Sequence, residues 1–154
     1  MRNVFLVLIT AAFTPLFANA QQTSTEGLAC FENLATPEYP KTALQAHVDG
    51  SVWTTTQVSP QGAVDKIDTQ VVSAWGEGPK LLTPPVEKAI RSAKVKSECA
   101  GKTVSVVFRY QLHGEPTANP KVTSKTEAPN IMNIESQPAS STEVTSAKAG
   151  SSQR

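Results

Sequence analysis

From Val104 to Leu112 the side chains alternate without a break. Val104, Val106, Phe108, Tyr110 and Leu112 fall on one side, and Ser105, Val107, Arg109 and Gln111 on the other. Successive residues of a strand point to opposite faces, so a period of two with one apolar side marks a strand with one buried face and one wetter face. Such a strand needs neighbours in a sheet and a layer to cover its apolar side. That requirement governs the rest of the reading.

Two neighbours are legible upstream. Residues Gly50 to Ser59 are rich in β-branched side chains (Val52, Thr54, Thr55, Thr56, Val58), which suit a pleated, half-buried surface. Ser59-Pro60-Gln61-Gly62 has turn composition, with Gly62 free to take positive φ. Val64 to Ser73 then forms the return strand of a hairpin, with Ile67, Thr69 and Val71 on one face. The covering layer comes from a helix in which Val86, Ala89, Ile90 and Ala93 recur at helical spacing. Thr83 is the expected N-cap, and Pro84 and Pro85 fit a first turn that does not need their N–H groups. Lys88, Arg91 and Lys94 point elsewhere and suit the dipole near the helix end. A shorter helical turn is expected over Pro40 to Gln45, with Ala43 and Leu44 packing inward. The expected fold class is α+β: a three-stranded antiparallel sheet with two helices on one face, in the order α-β-β-α-β.

The flanks read differently. Met1-Arg2-Asn3, the apolar stretch Val4 to Phe17 and the small-x-small Ala18-Asn19-Ala20 form a secretory signal, with cleavage expected after Ala20. Its apolar core is shorter than the roughly 20 residues a spanning helix needs. Residues 21–32 are a polar lead-in, and the domain is expected over 33–113. Residues 114–154 are dominated by Pro, Ser, Thr, Ala, Lys and Glu, a composition that favours disorder; Ile131, Met132 and Ile134 are the apolar exceptions.

Cys30 and Cys99 are the only two cysteines. In an exported chain an even count reads as a disulfide, and closing a loop of about 70 residues removes roughly 4 kcal/mol of unfolded-state freedom. A reactive thiol or a metal pair is the competing reading, and it lacks CxxC spacing. Fourteen basic residues face thirteen acidic ones, a balance unlike the basic excess of a nucleic-acid binder. Lys80, Lys88, Arg91, Lys94, Lys96, Lys102 and Arg109 form a locally basic run against Glu87 and Glu98, a solvated surface or a face for an acidic partner.

Motifs for catalysis are missing from the sequence. There is no GxSxG, P-loop, GxGxxG or HExxH. His47 and His113 lack carboxylate or cysteine companions at ligand spacing, so no metal, no cofactor and no enzymatic role is expected. Asp65 and Asp68 lie on one strand with diverging side chains. Trp53 and Trp75 either fill or cover the small sheet or stack on a ligand such as a sugar.

Pro37-Glu38-Tyr39-Pro40, Ala43, Gly50-Ser51-Val52, Gly62-Ala63-Val64-Asp65-Lys66-Ile67, the apolar helix around Ala89-Ile90 and the alternation from Val104 to Leu112 occur in an order and spacing that resemble the C-terminal domain of the TonB family. The resemblance spans residues 37 to 112. It implies a periplasmic location and a binding mode in which an extended segment of an outer-membrane transporter, or another envelope protein, pairs along an exposed strand edge. The implied edge is Thr103, Val104, Ser105, Val106, Val107, Phe108, Arg109, Tyr110, Gln111 and Leu112. The leader reads as cleavable and the lead-in is short, so the expected protein is a free-standing domain without the anchor and spacer of the energy-transducing members. The alternatives are a strand-swapped homodimer, a cell-wall ligand binder and an uncharacterised periplasmic enzyme.

Overall fold

The computed structural model describes residues 27–73 and 79–140. The expected signal segment with its expected cleavage after Ala20, Trp75 and the end of the chain from residue 141 lie outside the described residues. A single 3-10 turn, Leu28–Cys30, leads into β1 (Phe31–Asn33), followed by α1 (Lys41–Gln45), β2 (Gly50–Val58), β3 (Val64–Ser73), α2 (Pro79–Ser92) and β4 (Lys94–Val95). A second 3-10 turn, Ser97–Cys99, precedes β5 (Thr103–Leu112), β6 (Thr123–Ala128) and β7 (Ile131–Ser136).

The α+β class holds, and the α-β-β-α-β order is present as α1, β2, β3, α2 and β5. The sheet differs: it has five strands in the order β3-β2-β5-β7-β6, and β1 and β4 form a separate two-stranded sheet. All pairs in the larger sheet are antiparallel except β5 with β7, which run parallel.

The expectation of a disordered stretch from 114 onward is therefore corrected for residues 123–136. Its polar composition missed two contributions. Met132 and Ile134 continue the inner face beside Phe108 and Tyr110, and Ile134 is fully buried. Main-chain ladders, moreover, satisfy N–H and C=O groups whatever the side chains are. The lower boundary at residue 33 also moves. Cys30 and Phe31 are buried, β1 pairs with β4, and Leu28 donates its N–H to the Pro129 carbonyl at 2.7 Å. A Cβ at Gly27 would run into the Ser105 carbonyl, so only glycine allows this close approach.

The inner face of the sheet carries Val52, Val104, Val106, Phe108 and Tyr110, and Leu82, Val86 and Ile90 of α2 close over it. That stripe explains why α2 starts earlier than expected. Leu82 is fully buried one turn ahead of Val86, and burying such a side chain is worth roughly 1.5–3 kcal/mol. This helps to offset the penalty, about 3 kcal/mol, for an interior proline. Pro84 and Pro85 thus lie inside the helix rather than in its first turn, and Thr83 is not its N-cap.

Helix α1 ends with His47 in the left-handed region at φ 52°. Val48 donates to the Ala43 carbonyl at 2.9 Å and His47 to that of Leu44 at 3.4 Å, the double closure of a Schellman cap. Gly62 at φ 82° closes the β2–β3 hairpin, where Ser59 and Ala63 share a main-chain bond of 2.8 Å. Cys30 and Cys99, 69 apart in the chain, form a disulfide that ties the turn before β1 to the turn before β5.

Tyr39 and Tyr110 meet edge to face with ring centroids 5.0 Å apart. Tyr39 Oη donates to the Val48 carbonyl at 2.7 Å. Burial pushes both phenols well above the ordinary tyrosine range; the Asp49 charge adds to this for Tyr39, and Tyr39 adds to it for Tyr110. The neutral forms are therefore favoured in the fold. Their contribution to stability is complete below about pH 10 and is lost as pH rises above it. Because these are the only tyrosines, a spectrophotometric titration should show no phenolate until the chain unfolds, and then a single cooperative rise. A gradual rise near pH 10 in the folded protein would contradict the packing.

Candidate strand-edge interface

Strand β5 is the central strand of the sheet, not its edge. Thr103 to Tyr110 pair with β2, from Thr103 opposite Gln57 to Tyr110 opposite Gly50. On the other side Val107 to Leu112 pair with β7, and the Val107 N–H donates to the Asn130 carbonyl at 2.7 Å. Beside the remaining stretch, the Ser105 carbonyl is met by Gly27. Val104, Val106, Phe108 and Tyr110 are buried on the helix side, while Thr103, Ser105, Val107, Arg109, Gln111 and Leu112 are half-buried. The implied binding edge at Thr103 to Leu112 is corrected on this ground: its main chain already has neighbours on both sides.

The borders among the described residues are β6 and β3. β6 is short, mostly exposed and bulged between Thr126 and Ala128. Its charges are engaged, Glu127 with Arg109 at 2.5 Å and Lys125 with Glu135 at 3.6 Å. Shortness, charge and a bulge are the devices that discourage strand addition.

β3 is longer, with bulges near its two ends, at Asp65 and Val72, that leave Lys66 to Val71 regular between them. The Val58 N–H donates to Lys102, toward β5. Alternate residues of a strand address opposite neighbours, so Gln57, Thr55 and Trp53 face β3 and bond with Lys66, Asp68 and Gln70. The N–H and C=O groups of Ile67, Thr69 and Val71 are therefore the ones that face outward. Val71 and Val72 are among the exposed large hydrophobic residues, and Thr69 Oγ1 donates to Glu87 Oε1 of α2 at 3.1 Å, fixing the strand against its helix.

The locally basic run does not gather into one face. Arg91 pairs with Glu87 on α2, Lys94 with Glu32 of β1, and Arg109 with Glu127 on the sheet. No group of three or more His, Cys, Asp or Glu among the described residues could hold a metal ion. No helix among the described residues is long and apolar enough to cross a membrane. The β3 border was missed because no local pattern distinguishes an outer strand from an inner one. The β6–β7 hairpin carried a signal on one side only: the turn pair Pro129-Asn130 precedes Ile131, Met132 and Ile134, whereas Thr123–Ala128 has no β-forming pattern of its own.

Neither the protein-family models nor the curated proteins compared with this chain match it. The likeness to the TonB C-terminal domain thus rests on the residues quoted for it alone.

Proposed function

We propose that this chain is an exported, periplasmic binding module of TonB C-terminal type that holds an extended segment of an envelope protein, foremost an outer-membrane transporter, along β3. The observation that carries the reading is the outward row of main-chain donors and acceptors at Ile67, Thr69 and Val71, bounded by two bulges. Backbone pairing supplies affinity in this mode, and the exposed Val71 and Val72 supply selectivity.

Val71→Pro is the direct test. The lost N–H is not part of the internal ladder, and proline is tolerated on an edge strand when its nitrogen faces outward. The expected result is at least tenfold weaker capture of the partner, read by site-specific cross-linking from β3 in the envelope, with the melting temperature nearly unchanged. Unaltered capture, or cross-links that never include a transporter or another envelope protein, would overturn the proposal. Proline at Val107 belongs to a different category, because it removes the bond to Asn130 and breaks the β5–β7 junction.

One feature favours a second copy of the chain as occupant instead. The outward residues are symmetric about Thr69, so two β3 strands laid antiparallel there would set Ile67 of each copy against Val71 of the other. Light scattering separates the readings: a dimer that Val71→Pro dissociates supports the second, and a monomer excludes it.

A further inference from the structure

The face of the sheet opposite α2 carries a small site of its own. Trp53 stands at its centre, 46% exposed, with Gln70 directly opposite on β3 and Val107 opposite on β5. Two residues along, Thr55 faces Asp68 across the same β2–β3 pair and Ser105 across the β2–β5 pair. Trp53, Thr55, Asp68 and Gln70 line a depression of about 250 Å³.

Its polar groups are uncommitted in an informative way. Thr55 Oγ1 and Ser105 Oγ share a 3.3 Å hydrogen bond that steadies the threonine. The side chains of Asp68 and Gln70 have no ion-pair or hydrogen-bond partner among the described residues. The half-exposed indole has Val107 beside it on β5 and polar side chains along β3, so much of its apolar surface remains open to a ligand. Beside it stand one amide that both donates and accepts, one carboxylate that only accepts, and one hydroxyl.

We infer that this depression binds a sugar ring of a neutral or amino glycan. A pyranose has an apolar C–H face that stacks on an indole and a rim of hydroxyl groups that donate to a carboxylate and exchange hydrogen bonds with an amide. The site volume lies below the 300–1,000 Å³ of sites for drug-sized ligands, in keeping with one ring held on a surface rather than a ligand engulfed. Charge narrows the class further. Asp68 lines the depression and no cation does, so uronate and phosphate groups are repelled, whereas hydroxyl and ammonium groups are accepted. The rigidity comes from the β2–β3 ladder, which fixes the spacing of Trp53 to Gln70 and of Thr55 to Asp68.

The test uses the full chain carrying Trp75→Phe, so that the indole fluorescence is that of Trp53. Titration with chitotetraose and cellotetraose should give a saturable shift for at least one, and tetragalacturonate should bind at least tenfold more weakly. Calorimetry with Trp53→Ala, a surface change that leaves the core intact, should show at least a tenfold loss of affinity. Asp68→Asn should narrow the gap between neutral and anionic oligomers. No saturable response to either neutral oligomer overturns the inference. So does equal binding of the uronate, unchanged binding by Trp53→Ala, or capture of tetralysine in place of both glycans. None of these outcomes depends on the β3 border being a protein-binding edge.

Discussion

Replacing Cys30 and Cys99 together by serine is expected to lower stability by about 4 kcal/mol, the loop-closure term for two residues 69 apart in the chain. The bond joins places that would otherwise be weakly held. β1 is three residues long, β4 is two, and their sheet is strengthened by the Lys94–Glu32 ion pair and by the Lys94 N–H donating to Asn33 Oδ1. The Lys96 N–H also donates to the Cys30 carbonyl at 2.8 Å. Domains of this size retain only about 5–15 kcal/mol in total, so the double variant should sit near the edge of folding at 37 °C. Denaturant melts of the oxidised protein and of the double-serine variant, fitted for midpoint and slope, measure the difference. A loss below about 1 kcal/mol would mean that the segment from 30 to 99 is held by its packing alone.

Ending the chain at Gly114 should have a still larger effect. That truncation keeps every residue of the domain expected from the sequence, 33–113, and removes β6 and β7. It strips Ile134 and Met132 from beside Phe108 and Tyr110 and unpairs one side of β5 from Val107 to Leu112. Replacing Ile134 alone by alanine should cost about 2–5 kcal/mol, the range for a fully buried aliphatic side chain. The truncation adds the loss of a ladder and leaves a long apolar strand as a raw edge. The expected product is insoluble, or soluble with exposed apolar surface and no sharp melting transition. A cooperatively melting truncated protein would restore 33–113 as the folding unit. Ile134→Ala in the whole chain gives the graded version if the truncated protein cannot be isolated.

These two experiments mark where the sequence was informative. Elements dictated by local pattern were legible: the alternation at Val104 to Leu112, the Val64–Ser73 return strand, the turn at Gly62 and the stripe of Val86 and Ile90. The cysteine pair was legible because even parity, taken with the expected export signal, leaves few alternatives. Decisions made by tertiary context were not. Pro84 and Pro85 suggested a helix start, yet the burial of Leu82 carries the helix back to Pro79. Thr123 to Ala128 is polar at almost every position, and its strand exists because β7 offers it a register. Which strand ends as a border depends on everything else that joins the sheet. That is why Thr103 to Leu112, the edge that the resemblance implied, lies at the centre of the fold. Thr54 and Thr56 illustrate a further limit: their hydroxyls are buried under α2 without a partner among the described residues, and nothing in the structure explains why valine does not stand there.

β7 joins β5 in parallel, which a tight turn cannot achieve, so the chain travels through 113–122 and β6 before returning. The terminal hairpin is in effect a guest strand covalently tethered to its host. At high protein concentration, hairpins from two molecules can trade places, each filling the slot the other vacates and leaving every internal bond intact. Dimers formed this way would interconvert slowly and multiply on mild heating. Shortening the 113–122 tether, not altering β3, is what would govern their yield.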